Sequence, residues 1–384
     1  MQAYLDNAAT TRCTTRVAEA MVQAMCENFG NPSSMHLMGV KAEQVLRDAK
    51  TFFAKNLKVK EKEIYFTSGG TESNNLAILG TAMANQRAGK HLITTVIEHP
   101  SVSHPMKALE KQGFRVTYLP VDKDGIVSLE ALQEALCEET ILVSVMYVNN
   151  EIGAVQPIEQ IAKLIKEKSK KAYFHVDAIQ AYGKYQIYPG KEGIDLLSIS
   201  GHKLHAPKGV GLLYINEKVK IHPLLHGGGQ QKDIRSGTEN IPGIIGITEA
   251  ARACEQHLEE HREQLYHIKQ RFVDGVQKLE RATVNGRTGK DSAPHIVSVS
   301  FEGVRSEVLL HALEEQGVYV SAGSACASNK PSISPTLQGI GLAKELLSST
   351  LRFSFSFDTT EEEIDYCLQE LAKLLPVLRR YVRR

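Results

Sequence analysis

The chain of 384 residues has no run approaching the roughly 18 to 20 apolar residues that a membrane-crossing helix needs. Its amino terminus, Met1 to Asp6, has no charged region followed by an apolar stretch, so a secretory leader is not expected. Neither sign of charge dominates: 45 Lys and Arg face 44 Asp and Glu, for a formal net charge of +1. That balance removes any global case for nucleic-acid or membrane-surface binding. The tail Arg379-Arg380-Tyr381-Val382-Arg383-Arg384 is locally basic and reads as a solvated helix end. Six cysteines (Cys13, Cys26, Cys137, Cys254, Cys326, Cys367) show no Cys-x-x-Cys spacing, so neither a zinc knuckle nor a disulfide framework is indicated. A reducing, cytoplasmic setting fits best. Internal repeats and low-complexity segments are also missing. With 42% apolar and 23% charged residues, the chain has the ordinary composition of a globular protein with a sizeable core.

Between about residues 60 and 215, short β-rich runs alternate with helical patterns. Strands are expected at 63–67, 91–96, 115–119, 141–148, 173–177, 195–200 and 210–214. Between them Leu76, Leu79, Ala82 and Met83 recur at helical spacing, as do Ile158, Ile161, Ala162, Leu164 and Ile165. The alternation predicts an α/β domain on a mostly parallel seven-stranded sheet, with its ligand site at the strand ends. After Ile241-Pro242 a single long helical stretch is expected from Ile244 to about Leu279. Strands at 296–301, 318–321 and 351–355, with helices near 306–316 and 360–381, read as a smaller α+β domain that the first dozen residues complete. The expected division is a large domain over 14–255 and a small domain over 1–13 plus 256–384.

Lys203 is the most informative residue. It closes Ser200-Gly201-His202-Lys203, downstream of Tyr173-Phe174-His175-Val176-Asp177. A lysine beside a hydroxyl and an imidazole at a strand end, with an aspartate ending an earlier strand, is what pyridoxal phosphate chemistry requires. The amine forms a Schiff base, and the buried carboxylate keeps the pyridine nitrogen protonated so that the ring accepts electrons. Ser68-Gly69-Gly70-Thr71-Glu72-Ser73 offers glycine amides, a hydroxyl and a helix start, an anion cup for one phosphate. No Gly-Lys-Ser/Thr follows, so it is not a Walker loop, and a plain strand-to-helix turn is the alternative.

His99 follows the strand at 91–96; alone it is a loop residue, and beside a pyridoxal ring it can stack and shuttle protons. Asn149, Asn150 and Glu151 end the strand at 141–148 and alone read as a turn. Asp177 and Gln180 offer a carboxylate for the ring nitrogen and an amide for the phenolic oxygen, a helix-start aspartate being the common alternative. Gly70, Thr71, His99, Asn150, Asp177, Ser200, His202 and Lys203 all fall at predicted carboxyl ends of strands. Independent structural roles would not converge on one edge.

Cys326 lies in Ser321-Ala322-Gly323-Ser324-Ala325-Cys326-Ala327-Ser328. A cysteine among small residues is commonly inert filler. Here the stretch continues through Asn329, Lys330 and Pro331 without an apolar anchor and reads as a mobile loop. Mobility would let a thiol reach a substrate sulfur and carry it outward. The other five cysteines lack such a context and read as structural.

Eight separated motifs, in order along nearly the whole chain, resemble the NifS/IscS-type cysteine desulfurases. They are Tyr4 to Thr11, Gly30 to Ser34, Thr67 to Ser73, Val148 to Gly153, His175 to Ala178, Ser200 to Lys203, Arg235 to Thr238 and Gly323 to Cys326. The resemblance implies the type I pyridoxal phosphate fold, a homodimer and no metal site. It implies Lys203 as the Schiff-base lysine, Asp177 as partner of the ring nitrogen, Gln180 and Asn150 near the phenolic oxygen, and His99 stacked on the ring. Gly70, Thr71, Ser200 and His202 would hold the phosphate, joined by Thr238 of the other subunit. Asn31 and Arg352 would bind the substrate carboxylate.

The implied reaction converts L-cysteine to L-alanine and leaves sulfur on Cys326 as a persulfide, for delivery to an acceptor protein such as an iron–sulfur scaffold. A selenocysteine lyase or another aminotransferase of the same class is the alternative. A cofactor-free scaffold protein is opposed by intact Lys203, Asp177 and Cys326. His205-Ala206 stands where many relatives have Tyr-Gly, Ala327 where Thr is frequent, and Phe355-Ser356-Phe357 where Leu-Gly-Arg is common; none of these removes a proposed catalytic group.

Overall fold

The structure is a computed structural model that describes residues 1–322 and 333–380. Its strands are β1 (Ala3–Tyr4), β2 (Ile64–Thr67), β3 (His91–Thr95), β4 (Arg115–Leu119), β5 (Thr140–Met146), β6 (Tyr173–Asp177), β7 (Leu196–Ser200), β8 (Gly211–Ile215), β9 (Ala282–Asn285), β10 (Ile296–Phe301), β11 (Val318–Tyr319) and β12 (Thr350–Ser354). Seven of them form one sheet in the order β2-β8-β7-β6-β5-β3-β4. Only β8 runs against its neighbours. The α/β architecture with a mostly parallel seven-stranded sheet and a smaller domain is therefore the one expected.

Burial explains the strand composition. Every residue of β3, β5, β7 and β8 is buried, because helices cover both faces of the sheet. Such strands carry continuous apolar and β-branched runs rather than alternation, as in Thr140-Ile141-Leu142-Val143-Ser144-Val145-Met146. The covering helix Ile158–Lys168 buries Ile158, Ile161, Ala162 and Ile165, one stripe at helical spacing.

The smaller part of the molecule combines the antiparallel sheet β12-β10-β9 with the parallel pair β1-β11. Helices Leu258–Val276, Ser306–Glu315 and Glu361–Arg380 pack on these strands. Its apolar cluster joins Ala3 and Leu5 to residues from Leu265 through Leu375, while a separate cluster fills the space around the seven-stranded sheet. Strands β1 and β9 were not anticipated; at two and four residues they are too short for periodicity to reveal.

The single helix expected from Ile244 to about Leu279 is two helices, Ile241–Gln256 and Leu258–Val276, broken at His257 with φ −120° and ψ 21°. The reason is a change of partner. The first helix buries Ile241, Ile244, Ile247 and Cys254 against the large core, and the second buries Leu265, Ile268, Phe272 and Val276 in the small one. One straight helix could not face both. Among the described residues no helix is long and apolar enough to cross a membrane.

Phe272 is fully buried, with ring centroids 4.6 Å from Phe353 and 5.6 Å from Phe355. Phe272→Ala should cost about 3 to 5 kcal/mol of stability, read by urea unfolding. A loss below about 1 kcal/mol would mean that this aromatic cluster does not hold β12 in place.

Candidate active site

Strands β2, β3, β5, β6 and β7 run in one direction, so their carboxyl ends share an edge, and a cavity of about 260 Å³ opens there. Gly70, Thr71, His99, Asn150, Asp177, Gln180, Ser200, His202, Lys203 and Arg352 all line it. A larger hollow of about 400 Å³ near Tyr147, Tyr188 and Lys191 gathers none of these residues. Asn31 and Thr238 are exposed and do not line the cavity of the single chain. Cys326 lies outside the described residues.

At one end of the cavity, β2 turns through Gly69 into a helical run over 70–85 whose middle turn, Leu76–Gly80, is π-helical. Gly69 has φ +152°, a conformation that side-chain-bearing residues rarely adopt. A Cβ on Gly70 would stand 2.2 Å from Ile179 Cδ1, so the Ile179 side chain would have to shift to admit one. Glu72 accepts the Ser68 N–H at 2.7 Å and pairs with Arg235 at 2.8 Å, which pins the turn. Opposite, Ser200 Oγ is fully buried and meets no hydrogen-bonding partner among the described residues. His202 rests its Nδ1 3.3 Å from Thr10 Oγ1; burial, assisted by Lys203, pushes its pKa down to about 4.

Asp177 ends β6 in the centre of the sheet, in register with Met146 of β5 and Ser198 of β7. Its carboxylate accepts the Ile179 N–H at 3.0 Å and the Asn74 Nδ2–H at 2.8 Å. Burial pushes its pKa up; the Ile179 and Asn74 hydrogen bonds and the nearby His99 and Lys203 oppose that shift. The site thus offers a buried carboxylate that a cation beside it would hold ionised. His99 caps the helix Pro100–Glu110, its Nδ1 accepting the Ser101 N–H at 3.1 Å. Burial lowers its pKa.

Lys203 sits in the short 3₁₀ turn that follows β7. Its Nζ donates to Ala8 O at 2.6 Å and Ala9 O at 2.5 Å, so the amino-terminal segment lies against the lysine. Gln180 Nε2 donates to Ala8 O at 2.9 Å. On the other side Arg352, only 5% exposed, donates to Asp6 Oδ1 at 2.8 Å and to Asn150 O at 2.9 Å. Sequence reasoning missed Ala8, Ala9, Ser101 and Asn74. The two alanines carry no chemistry in their side chains and contribute through their carbonyls. Asn74 and Ser101 lie inside helices, where nothing in the spacing marks them.

A fold with this sheet, a lysine after β7 and an aspartate ending β6 defines a class of pyridoxal phosphate enzyme. The model of the class-V aminotransferases matches residues 3–367, and the chain belongs to that family. It is 45% identical to the cysteine desulfurase IscS of Methanosarcina thermophila over 376 residues, which is 98% of this chain and 92% of that one. Among solved structures, a NifS-like protein superimposes with a TM-score of 0.93 at 39% identity, covering 98% of this chain and all of the other. The structure named "SspA in complex with cysteine" covers 94% of this chain and all of its own, with a TM-score of 0.79 at 32% identity.

Membership implies pyridoxal phosphate as the cofactor, and the residues present fit it. The unpartnered buried Ser200 hydroxyl and the cramped Gly70 turn suit a phosphate, and the buried Asp177 suits a protonated ring nitrogen.

His175, two residues before Asp177, is fully buried between Ser144 Oγ at 2.8 Å and Ser198 Oγ at 2.9 Å. Burial lowers its pKa from near 6.5 to about 3. In that window the unfolded chain binds a proton that the folded chain does not, so stability falls as pH falls, by up to about 1.4 kcal/mol per pH unit. Urea unfolding between pH 7 and pH 5 should show a steeper loss for the wild type than for His175→Gln. Equal slopes would show that His175 is not held neutral.

Proposed function

We propose that this protein is a pyridoxal phosphate-dependent cysteine desulfurase that converts L-cysteine to L-alanine and receives the sulfur on Cys326. The carrying observation is the convergence of Lys203, Asp177 and Arg352 on one cavity, in a chain 45% identical to a cysteine desulfurase.

Bound there, pyridoxal phosphate supplies a carbonyl that condenses with amines and a ring that accepts electrons. Lys203 holds the cofactor at rest, and its amine takes the α-proton of the substrate. Asp177 would keep the ring nitrogen protonated, Gln180 and Asn150 would serve the phenolic oxygen, and His99 would stack on the ring. Gly70, Thr71, Ser200 and His202 would hold the phosphate. Arg352 pairs with the substrate carboxylate, oriented by Asp6 and Asn150 O. The Cys326 thiolate attacks the substrate sulfur: an S–S bond forms, the C–S bond breaks, and its electron pair stays with the carbon that becomes the alanine methyl group after protonation. One cysteine and one thiol thus give one alanine and one persulfide.

What supports the role of Cys326 is how the flanks of its segment are tied down. Ser321 exchanges both backbone hydrogen bonds with Arg352, at 3.2 and 2.7 Å. Ser334 Oγ donates to the buried Glu151 at 2.6 Å. Cys326 follows Ser321 by five positions, a chain length of at most about 18 Å when extended, so its reach from the strand partner of the proposed carboxylate-binding arginine is short.

The domain division at 14–255 and 1–13 plus 256–384 is supported by the helix break at His257 and by the two apolar clusters. The working form is a homodimer. Val22, Met25, Phe29, Met35, Leu37, Met38 and Val40 are all exposed in one chain, a concentration of exposed apolar side chains over 22–40 that asks for a cover. Asn31 lies within this stretch, so a second copy seated there covers it, and Thr238 reaches the partner's phosphate. The cytoplasm, which keeps thiols reduced, is the proposed location, and a sulfur-acceptor protein such as an iron–sulfur scaffold is the proposed recipient of the persulfide.

Purified holoenzyme given L-cysteine and reductant should release alanine and sulfide in equal amounts. Cys326→Ala should abolish sulfur transfer and leave the visible absorbance of the bound cofactor intact; retained turnover would remove Cys326 from the reaction. In sedimentation the wild type should run as a dimer. The double variant Phe29→Glu, Met35→Glu should run as a monomer with weakened cofactor retention, and an unchanged dimer would place the interface elsewhere.

A further inference from the structure

Two polar side chains left without a role in the reaction above, Asn74 and Ser101, stand between Asp177 and His99. Asn74 is fully buried and Ser101 is nearly so. Asn74 Nδ2 lies 2.8 Å from Asp177 Oδ2 and 2.9 Å from Ser101 Oγ. Ser101 Oγ lies 2.8 Å from His99 Nδ1, and the Ser101 backbone N–H reaches the same nitrogen at 3.1 Å. The four residues come from different parts of the chain: the end of β6, the helical run after β2, and the helix after β3. Only the fold brings them into one line.

The position of each proton follows from the chemistry of the groups. An ionised Asp177 accepts only, so the Asn74 atom facing it is the amide nitrogen. The second proton on that nitrogen goes to Ser101 Oγ, which therefore accepts from Asn74 and has its own proton left for His99. The backbone N–H at Nδ1 is a donor under all conditions. With donors on that side, Nδ1 carries the lone pair, and the neutral ring has its proton on Nε2.

We propose that Asn74 and Ser101 are positioning residues that link the charge on Asp177 to the tautomer of His99, holding the imidazole with its proton on Nε2. The inference rests on the assignment of Asp177 and His99 to the cofactor ring. Its consequence is directional. His99 offers the reacting atoms a proton, so its first move is donation. Deprotonating the attacking thiol then falls to another group, because Nε2 has no lone pair to receive that proton. The charged and titratable groups around His99 are Asp177, Lys203, His104 and Arg352. Only Asp177 favours a charged imidazole, and it reaches the ring through two intervening neutral side chains.

Two measurements on the holoenzyme test this. In ¹⁵N spectra of histidine-labelled protein, with the His99 signals assigned by difference from His99→Gln, a neutral ring protonated on Nε2 is expected. A ring protonated on Nδ1 would overturn the proposal. In steady-state kinetics Ser101→Ala should lower kcat about tenfold with KM within about twofold of wild type. Ser101→Thr, which keeps the hydroxyl, should recover most of the loss. Wild-type kcat in Ser101→Ala, or no recovery in Ser101→Thr, would overturn the link while a crippled His99→Gln left the site assignment standing. A wild-type His99→Gln would instead overturn both through the site assignment.

Discussion

A carboxylate buried at the centre of a parallel sheet is the constraint around which this molecule is arranged. Asp177 lies between β5 and β7, away from water. An isolated ionised carboxylate there would cost several kcal/mol, so it needs donors on its own side and a cation on the other. The Ile179 N–H and Asn74 amide are the donors, and the proposed pyridinium is the cation. Because β2, β3, β5, β6 and β7 run together, Gly70, His99, Asn150, Asp177 and Lys203 emerge along one edge of the sheet. The antiparallel β8 adds to this by placing Gly211 beside Gly69, where a Cβ would come within 2.7 Å of the turn.

The second organising element is the amino-terminal segment. Strand β1 belongs to the small sheet pair, yet the residues just after it cross to the large sheet. Asp6 takes Arg352, and the carbonyls of Ala8 and Ala9 take the Lys203 amine. Ala8 O also receives the Gln180 amide. A few consecutive residues therefore register Arg352 of the small sheet β12-β10-β9 against the lysine of the large sheet. The separation of Arg352, the proposed carboxylate-binding residue, from the Lys203 amine depends on that registration.

Two of the positions that differ from the usual pattern of the NifS/IscS-type enzymes turn out to be neighbours. His205 packs at a tilt against Phe357 with ring centroids 4.1 Å apart, and His261 stacks on Phe357 at 4.5 Å. His205 also holds Arg12 O through Nδ1 at 2.8 Å. The pair packs between the Lys203 turn and the turn that follows β12, and neither residue lines the cavity.

The sheet strands and the edge that carries the site were legible in the sequence because buried parallel strands need unbroken apolar runs, and polar residues at their ends stand out. Lys203, Asp177, His99 and the glycine turn were marked in this way. Asn74, Ser101, Ala8 and Ala9 left no such mark, since an amide or hydroxyl inside a helix and a backbone carbonyl look alike in every protein. The break at His257 was hidden as well: both halves have good helical periodicity, and only the separation of two cores forces a turn between them. The sequence by itself determined the elements and the inventory of chemistry-bearing groups, through local periodicity and residue type. The tertiary structure alone decided which of those groups meet, because hydrogen-bond distances between residues about 100 to 350 positions apart are set by packing, which local sequence does not encode.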